Sequence, residues 1–366
     1  MRSILLLPLG LLLGFSAALV FAQDKVVIAH RGASGYLPEH TLEAKVLAFA
    51  QGADYLEQDV VMTADDQLIV FHDLTLERMT NVAQVFPERA REDGSFYVID
   101  FTLEELRTLK VSEGSSVVEG ERRAGFPGRF PLEPGFFRIH TLDAELKLIA
   151  GLAVSTGRTV GIYPELKSPW FHHQHGKDLA RAVLEVLAAH GYRDSDDPVY
   201  VQSFDYPELV RVKHELLPEL GLDLKLVQLI ADNSWGETMA LDASGVWQPY
   251  DYAWMLTQAG VKQLATVVDG VGPAYDMLVP ATLTSETAKT AVSPFVQWAH
   301  LEGLQVHPYT FRKDPERLPP WVDSFDALLE LFLYRLEVDG VFTDFPDLAR
   351  QFVDRQFVES HPREGI

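Results

Sequence analysis

The 366-residue chain contains no cysteine. That excludes disulfide staples, thiolate metal sites and a lipid-bearing thiol at a processed N-terminus. Positive charge is scarce: 31 Lys and Arg face 53 Asp and Glu, for a net charge of −22. A polyanion would be repelled, so nucleic acid is excluded as a partner, and tight adsorption to anionic membranes is disfavoured. A phosphate could be held only by local cations. Long apolar runs are missing beyond the start. The first residues, "MRSILLLPLGLLLGFSAALVFAQDK", pair Arg2 with a leucine-rich run that Pro8 and Gly10 interrupt. Small residues precede a cleavage point after Ala22. This reads as a signal peptide, residues 1–22, on a protein exported to the periplasm without stable membrane insertion. Repeats and low-complexity tracts are also missing.

What is present is a rhythm. Nine strand-like runs recur: "KVVIAH", "ADYLEQDVV", "LIVFHD", "RTVGIYPEL", "PVYVQSF", "LKLVQLI", "VVDGVG", "LQVHPYT" and "VDGVFTD". Amphipathic stretches lie between many of them, as in "DLARAVLEVLAAH", with Leu179, Val183, Leu184 and Leu187 at helical spacing. Strands alternating with helices argue for a parallel sheet. Only "TADDQ" separates the second run from the third, too short for a parallel crossover of about a dozen residues. "LIVFHD" therefore forms a hairpin arm, and eight parallel strands remain. Eight closes an α/β TIM-type (β/α)8 barrel; the alternative is an open doubly wound sheet. One barrel domain over residues 23–355 is expected, with a polar C-terminal tail over 356–366. An insertion over about residues 74–139 lacks the rhythm and follows the second strand. It is expected over the barrel mouth, shaping the pocket or making a homodimer contact.

In such a barrel the chemistry sits at the strands' C-terminal ends. The first run ends in His30-Arg31, the hairpin in His72-Asp73, the third parallel strand in Glu165 and Lys167. The second carries Glu57 and Asp59, two apart and so on one side of the strand. Adjacent inward carboxylates repel each other, and a bound cation removes the conflict. Glu57, Asp59 and Glu165 make an oxygen-rich site suited to Ca²⁺, with Mg²⁺ the less favoured ion. Two histidines beside it suit paired proton transfer. Arg31 and Lys167 supply local positive charge for a phosphate, and Gly32 and Gly35 let the backbone approach it. Thr41 is expected to cap a helix that buries Ala44, Leu47 and Ala48.

These residues carry a resemblance. "IAHRGASGYLPEHTLEA", "GADYLEQDVVMTADDQLIVFHD", "FTLEEL", "GIYPELKSPWFHHQHGKD", "VQSFD", "DGVGP", "VHPYT" and "GVFTDFPD" follow one another across nearly all of the mature chain. In this ordered set the chain resembles the glycerophosphodiester phosphodiesterase family, most closely its exported bacterial members. The resemblance implies a TIM-type barrel that hydrolyses glycerophosphodiesters to sn-glycerol 3-phosphate and an alcohol. It implies His30 and His72 as acid and base, Glu57, Asp59 and Glu165 as metal ligands, Arg31 at the phosphate and Lys167 as a further site cation. Two other readings are carried alongside: a phospholipase D-like or phosphoinositide-cleaving relative on the same barrel, which needs an exposed apolar rim for lipid entry, and a surface or solute-binding protein that keeps the site but not the activity.

Weaker signals remain. His172, His173 and His175 are read as a substrate-facing or surface loop in preference to a zinc site. His307 and Tyr309 either line the pocket or pack. Among Trp170, Phe204, Trp254 and Trp321, only Phe204 is assigned to the substrate wall. Thr343 and Asp344 are expected to hold polar groups at the mouth.

Overall fold

The computed structural model describes residues 25–119, 121–132, 135–242, 244–279, 282–284, 286–287 and 293–360. The leader read over residues 1–22 lies outside them. Eight parallel strands are present: β1 Val26–Ala29, β2 Tyr55–Met62, β3 Gly161–Leu166, β4 Tyr200–Ser203, β5 Lys225–Ile230, β6 Gly270–Pro273, β7 Gln305–Val306 and β8 Gly340–Thr343. They neighbour one another in the order β7-β6-β5-β4-β3-β2-β1-β8. The two ends meet through Asp339 N–H to the Val306 carbonyl and Phe342 N–H to the Pro308 carbonyl, at 3.0 and 3.1 Å. The sheet closes as a barrel, and the open-sheet alternative falls.

The hairpin also forms. Leu68–Val70 runs antiparallel to β2, with Val60 opposite Val70 and Met62 opposite Leu68. It carries His72 back to the mouth, where Phe71 N–H bonds the Asp59 carbonyl at 2.8 Å.

Helices cover the outside where their apolar faces can be buried. Leu179–Ala189 buries Leu179, Ala180, Val183, Leu184 and Leu187, and Asp178 caps it by accepting from Arg181 N–H. Each such leucine contributes roughly 2 kcal/mol of transfer free energy. Thr41 caps Leu42–Ala50 as expected, but the buried face is Ala44, Lys45, Ala48 and Phe49. Leu47 is only partly buried. Lys45 takes an interior position because Glu145, equally buried, lies 3.1 Å from its ammonium, and because the Glu57 carbonyl accepts from it.

Between the hairpin and the helix Leu142–Thr156, the chain folds around a small core of its own. Leu76, Met79, Phe101, Leu106, Val111 and Phe137 pack together there with Val61 and Ile69 of the barrel hairpin. Phe101 and Phe137 are almost wholly buried, so this segment is a packed unit resting on the sheet. At the other end, the helix Pro346–Ser360 runs past the boundary drawn at residue 355. Phe352 and Val353 within it are buried, and Arg350 pairs with Asp354 one turn on.

Alternation along the strands sorts the barrel interior into levels. In the middle, Ile28, Tyr163, Tyr200, Val227 and Phe342 form one cluster. Tyr163 stacks on Tyr200 at 4.9 Å and meets Phe342 edge-on at 5.0 Å. Room for these rings requires small neighbours: a Cβ on Gly161 would lie 2.3 Å from the Tyr55 ring. Two residues further along the strands, the interior changes from rings to charges.

Candidate active site

His30, Arg31, Glu57, Asp59, His72 and Glu165 line one cavity of about 580 Å³ at the C-terminal ends of the strands. Phe204 is in its wall as expected. Lys167 lies at its edge, 3.0 Å from Glu165 Oε1 and 3.5 Å from Glu237, with its ammonium 5.5 Å from the Phe204 ring centre.

Each histidine is held by a carboxylate through one ring nitrogen. His30 Nδ1 lies 2.6 Å from Asp344 Oδ1, and His72 Nδ1 lies 2.5 Å from Asp73 Oδ1. That leaves both Nε2 atoms for chemistry. His72 Nε2 is 3.4 Å from the Lys167 ammonium, which favours an unprotonated nitrogen there. Burial and the Arg31 charge push His30 down to about 4, and burial, Arg31 and Lys167 lower His72. Both rings are therefore neutral near pH 7 and depend on their carboxylates to stabilise a gained proton.

The supporting shell extends further. Arg129 from the insertion reaches Asp344 Oδ2 at 2.7 Å and Asp314 at 2.6 Å, and Arg312 Nε reaches the same Asp344 oxygen at 2.7 Å. Arg78 joins Asp73 at 2.5 Å and pairs with Glu39. Asp344 thus holds polar groups as expected. Thr343 serves the backbone, donating to the Phe311 carbonyl and accepting from Phe345 N–H.

The carboxylates are in conflict. Glu57 and Glu165 are driven well above the usual carboxylate range, by burial first and then by the nearby Asp59 charge. Asp59 goes the other way: burial opposes its ionisation, but His72, His40 and Arg31 hold it ionised. Register places Asp59 directly beside Glu165. Three acid groups share one dry spot, and a divalent cation is the ligand that would let all three ionise. The donor set therefore fits a hard metal.

His40 was missing from the expected ligands. Its Nε2 lies 2.7 Å from Asp59 Oδ2, and His40, Glu57 and Asp59 bring ligand atoms within 4.8 Å of one another. Glu165 stands outside that group, turned to Lys167. The "PEHT" stretch reads in sequence as a helix entry, and only its closeness to His30 hinted at more. Arg31 is likewise more than a free cation. Its backbone N–H donates to Glu57 Oε2 at 2.5 Å, Nη1 meets Glu39 at 3.0 Å, and Nε lies 3.3 Å from Asp59 without a hydrogen bond. The backbone takes a positive φ at Arg31 and Gly32. A Cβ at Gly32 would meet the Ala44 backbone at 2.8 Å, so this turn needs its glycine.

Other expectations fare differently. His307 does not line the cavity. It is fully buried one level down, with Nδ1 3.0 Å from the Tyr163 hydroxyl. Tyr309 does line it. Trp170, Trp254 and Trp321 pack elsewhere, against Trp247, Tyr206 and Phe332, whereas the unremarked Trp235 is in the cavity wall. The three histidines of "WFHHQHG" turn apart. His172 Nε2 accepts from Met62 N–H, His173 pairs with Glu208, and His175 packs on Phe171. They make no metal site among the described residues.

The model of the glycerophosphoryl diester phosphodiesterase family matches residues 30–348. The chain belongs to that family. A glycerophosphodiester phosphodiesterase of Haemophilus influenzae is 49% identical over 330 residues, 90% of each chain. One of Treponema pallidum is 45% identical over 345 residues, covering 93% of this chain and 96% of that one. Among solved structures, an Oleispira antarctica phosphodiesterase in complex with the product sn-glycerol-3-phosphate shares the fold, with a TM-score of 0.57 and 23% identity over 90% of this chain and 96% of that one. A glycerophosphodiester phosphodiesterase of Agrobacterium tumefaciens does so at 0.53 and 20%, over 90% and 99%.

Proposed function

We propose that this protein hydrolyses glycerophosphodiesters to sn-glycerol 3-phosphate and an alcohol. The observation that carries the reading is the pair of carboxylate-held imidazoles, His30 and His72, on one cavity with three buried acid groups. The similarity to enzymes named for this activity supports it.

In the proposed reaction one imidazole Nε2 takes the proton of the attacking hydroxyl, whose oxygen forms a new bond to phosphorus. The bond from phosphorus to the departing alcohol breaks, and its oxygen takes a proton from the other imidazole, which its carboxylate partner and the anionic diester keep protonated at Nε2 while substrate is bound. Asp344 and Asp73 stabilise whichever ring is charged. Arg31, with an unsatisfied Nε, and Lys167 hold phosphate oxygens. The attacking group is either the glycerol 2-hydroxyl, through a cyclic phosphate that water then opens, or water itself. Phe204 and Tyr309 wall the glycerol. Glu57, Asp59 and Glu165 would hold the metal, with His40 orienting Asp59. We assign Ca²⁺ from the oxygen donors and the proposed export. Bound there, the metal supplies Lewis-acid stabilisation of phosphate charge and a lower pKa for a bound hydroxyl.

The test follows release of sn-glycerol 3-phosphate from glycerophosphocholine by purified residues 23–366, with chelator and then with Ca²⁺ or Mg²⁺ restored. Loss with chelator and recovery with Ca²⁺ support reaction and metal together. No release from any glycerophosphodiester with either ion overturns the assignment. Export with cleavage after Ala22 belongs to the same proposal, and N-terminal sequencing of the secreted protein tests it.

One observation favours a second reading, diesters carried on a lipid. Trp235 in the cavity wall is 50% exposed, and Leu241, Val246 and Trp247 are exposed nearby in sequence. Hydrolysis of a lysophospholipid at a rate matching the soluble diester would select that reading.

A further inference from the structure

A second cavity, of about 430 Å³, opens on the other side of the two histidines. His30, Arg31, His72 and Arg312 line both cavities, so the reacting centre lies where they join. Glu57, Asp59 and Glu165 line only the first. The walls of the second come largely from the insertion, including Arg78, Glu113, Ser115, Phe126 and Arg129. A diester has two arms. On the proposed function, the glycerol arm must lie with the three carboxylates, and the departing alcohol then enters the second cavity.

The polar groups there are mostly spoken for. Arg78 is paired with Glu39 and Asp73, Arg129 with Asp314 and Asp344, and Arg312 with Asp344. Arg317 lines both cavities and makes no ion pair among the described residues, which leaves it for the phosphate at the junction. Glu113 is the exception on the acidic side. It is 5% exposed, its Oε2 has no hydrogen-bond partner, and no cation pairs with it among the described residues. Burial and the neighbouring Glu39 charge raise it to about 8. A buried carboxyl oxygen without a partner is costly unless a ligand supplies one.

We propose that the second cavity is the leaving-group subsite, and that Glu113 selects glycerophosphodiesters whose departing alcohol carries a primary ammonium. Arg129 and Arg78 act on Glu113 only at a distance; a primary ammonium would bring three N–H donors to the unpartnered Oε2 and a positive charge in direct contact, against which the carboxyl ionises. A trimethylammonium brings charge without donors, and a neutral alcohol brings donors without charge. The subsite therefore ranks glycerophosphoethanolamine above both.

The experiment compares kcat/KM for glycerophosphoethanolamine and glycerophosphoglycerol in the wild type and in Glu113→Gln. The expected result is a wild-type preference for the amine that falls by about tenfold or more in the variant. An unchanged ratio in an active variant overturns the subsite while leaving the enzyme assignment standing. Absence of hydrolysis of either diester by the wild type, with Ca²⁺ present, overturns both. A readout on the wild type alone guards against a variant that does not fold. Free 2-aminoethanol should inhibit at concentrations about tenfold below those of 1-propanol, its uncharged counterpart of similar size; equal inhibition by the two overturns the proposal.

Discussion

Tyr163 and Glu165 stand two residues apart on β3, both on the barrel's inner side, and their surroundings are opposite. Tyr163 is sealed among Tyr200, Phe342 and Ile28, and its one polar atom bonds His307. Nothing at that level is left in conflict except the far nitrogen of His307, which has no partner. Glu165 lies beside Asp59 in register, with Glu57 two residues before Asp59 on β2, and burial pushes Glu57 and Glu165 toward their neutral forms. The lower level is built for stability. The upper level holds charge that packing alone would reject, and it is tolerable because a ligand completes it. Substitutions should therefore have opposite consequences at the two levels.

The largest expected effect is at the top. His30→Ala and His72→Ala should each lower kcat by about 10³-fold, with little change in melting temperature, because neither ring packs in the apolar core. Initial rates of sn-glycerol 3-phosphate release check this. A rate above a tenth of wild type in either variant would remove that ring from proton transfer.

Next come the acids. Glu57→Gln fixes as neutral a group that burial and Asp59 already push toward its neutral form. Activity should fall by about 10²-fold or more, while the melting temperature without divalent ions stays equal or rises, as if by about 1 kcal/mol. Ca²⁺ should then raise the melting temperature of the wild type and leave that of Glu57→Gln unmoved. If Glu57→Gln is markedly less stable than the metal-free wild type, the upper level is structural and the contrast fails.

Acid should act on both levels. His30 above and His307 below are each held down to about 4, mainly by burial. In the unfolded chain such rings take a proton near pH 6.5. Between those values the unfolded state binds more protons, so stability falls as pH drops from about 6.5 to about 4, by up to roughly 3 kcal/mol for each ring. Melting temperature against pH measures it. The slope should be shallower in His307→Gln, and a slope unchanged in that variant would mean that His307 stays neutral after unfolding or is charged before it.

Much of this division was visible in the sequence, for identifiable reasons. Strand runs that end in His30-Arg31, Glu165 and Asp344 announce a barrel with its chemistry at one end. The two-residue spacing of Glu57 and Asp59 announces an inward pair, and the five residues of "TADDQ" force the hairpin that delivers His72. The hidden features depend on long-range closure. The insertion's place over the mouth follows from its position after the second strand, but no local pattern predicts that its Arg129 meets Asp314 across 185 positions. Lys45 broke the rule that lysine stays outside, because its partner Glu145 lies on a different helix. From its place after a strand run His307 could either line the pocket or pack, and β7 is so short that His307 falls level with Tyr163 and packs. His40 was absorbed into a capping motif that is real, and its second role appears only when β2 lies beside it.

The smallest expected effect sharpens the contrast most cleanly. Tyr163→Phe removes one hydroxyl from the lower level and leaves the ring stack intact. His307 then has neither ring nitrogen bonded in a site that excludes water. The loss should be about 1–2 kcal/mol in urea unfolding, with no change in m-value. Because Phe342 and Tyr200 still fill the space, the strands above should not shift, and kcat should stay within about twofold of wild type. A fall in kcat comparable to that of Glu57→Gln would show that the two levels are coupled through β3. The upper site would then be positioned by the lower hydrogen bond, and the division between packing and chemistry would have to be drawn elsewhere in the barrel.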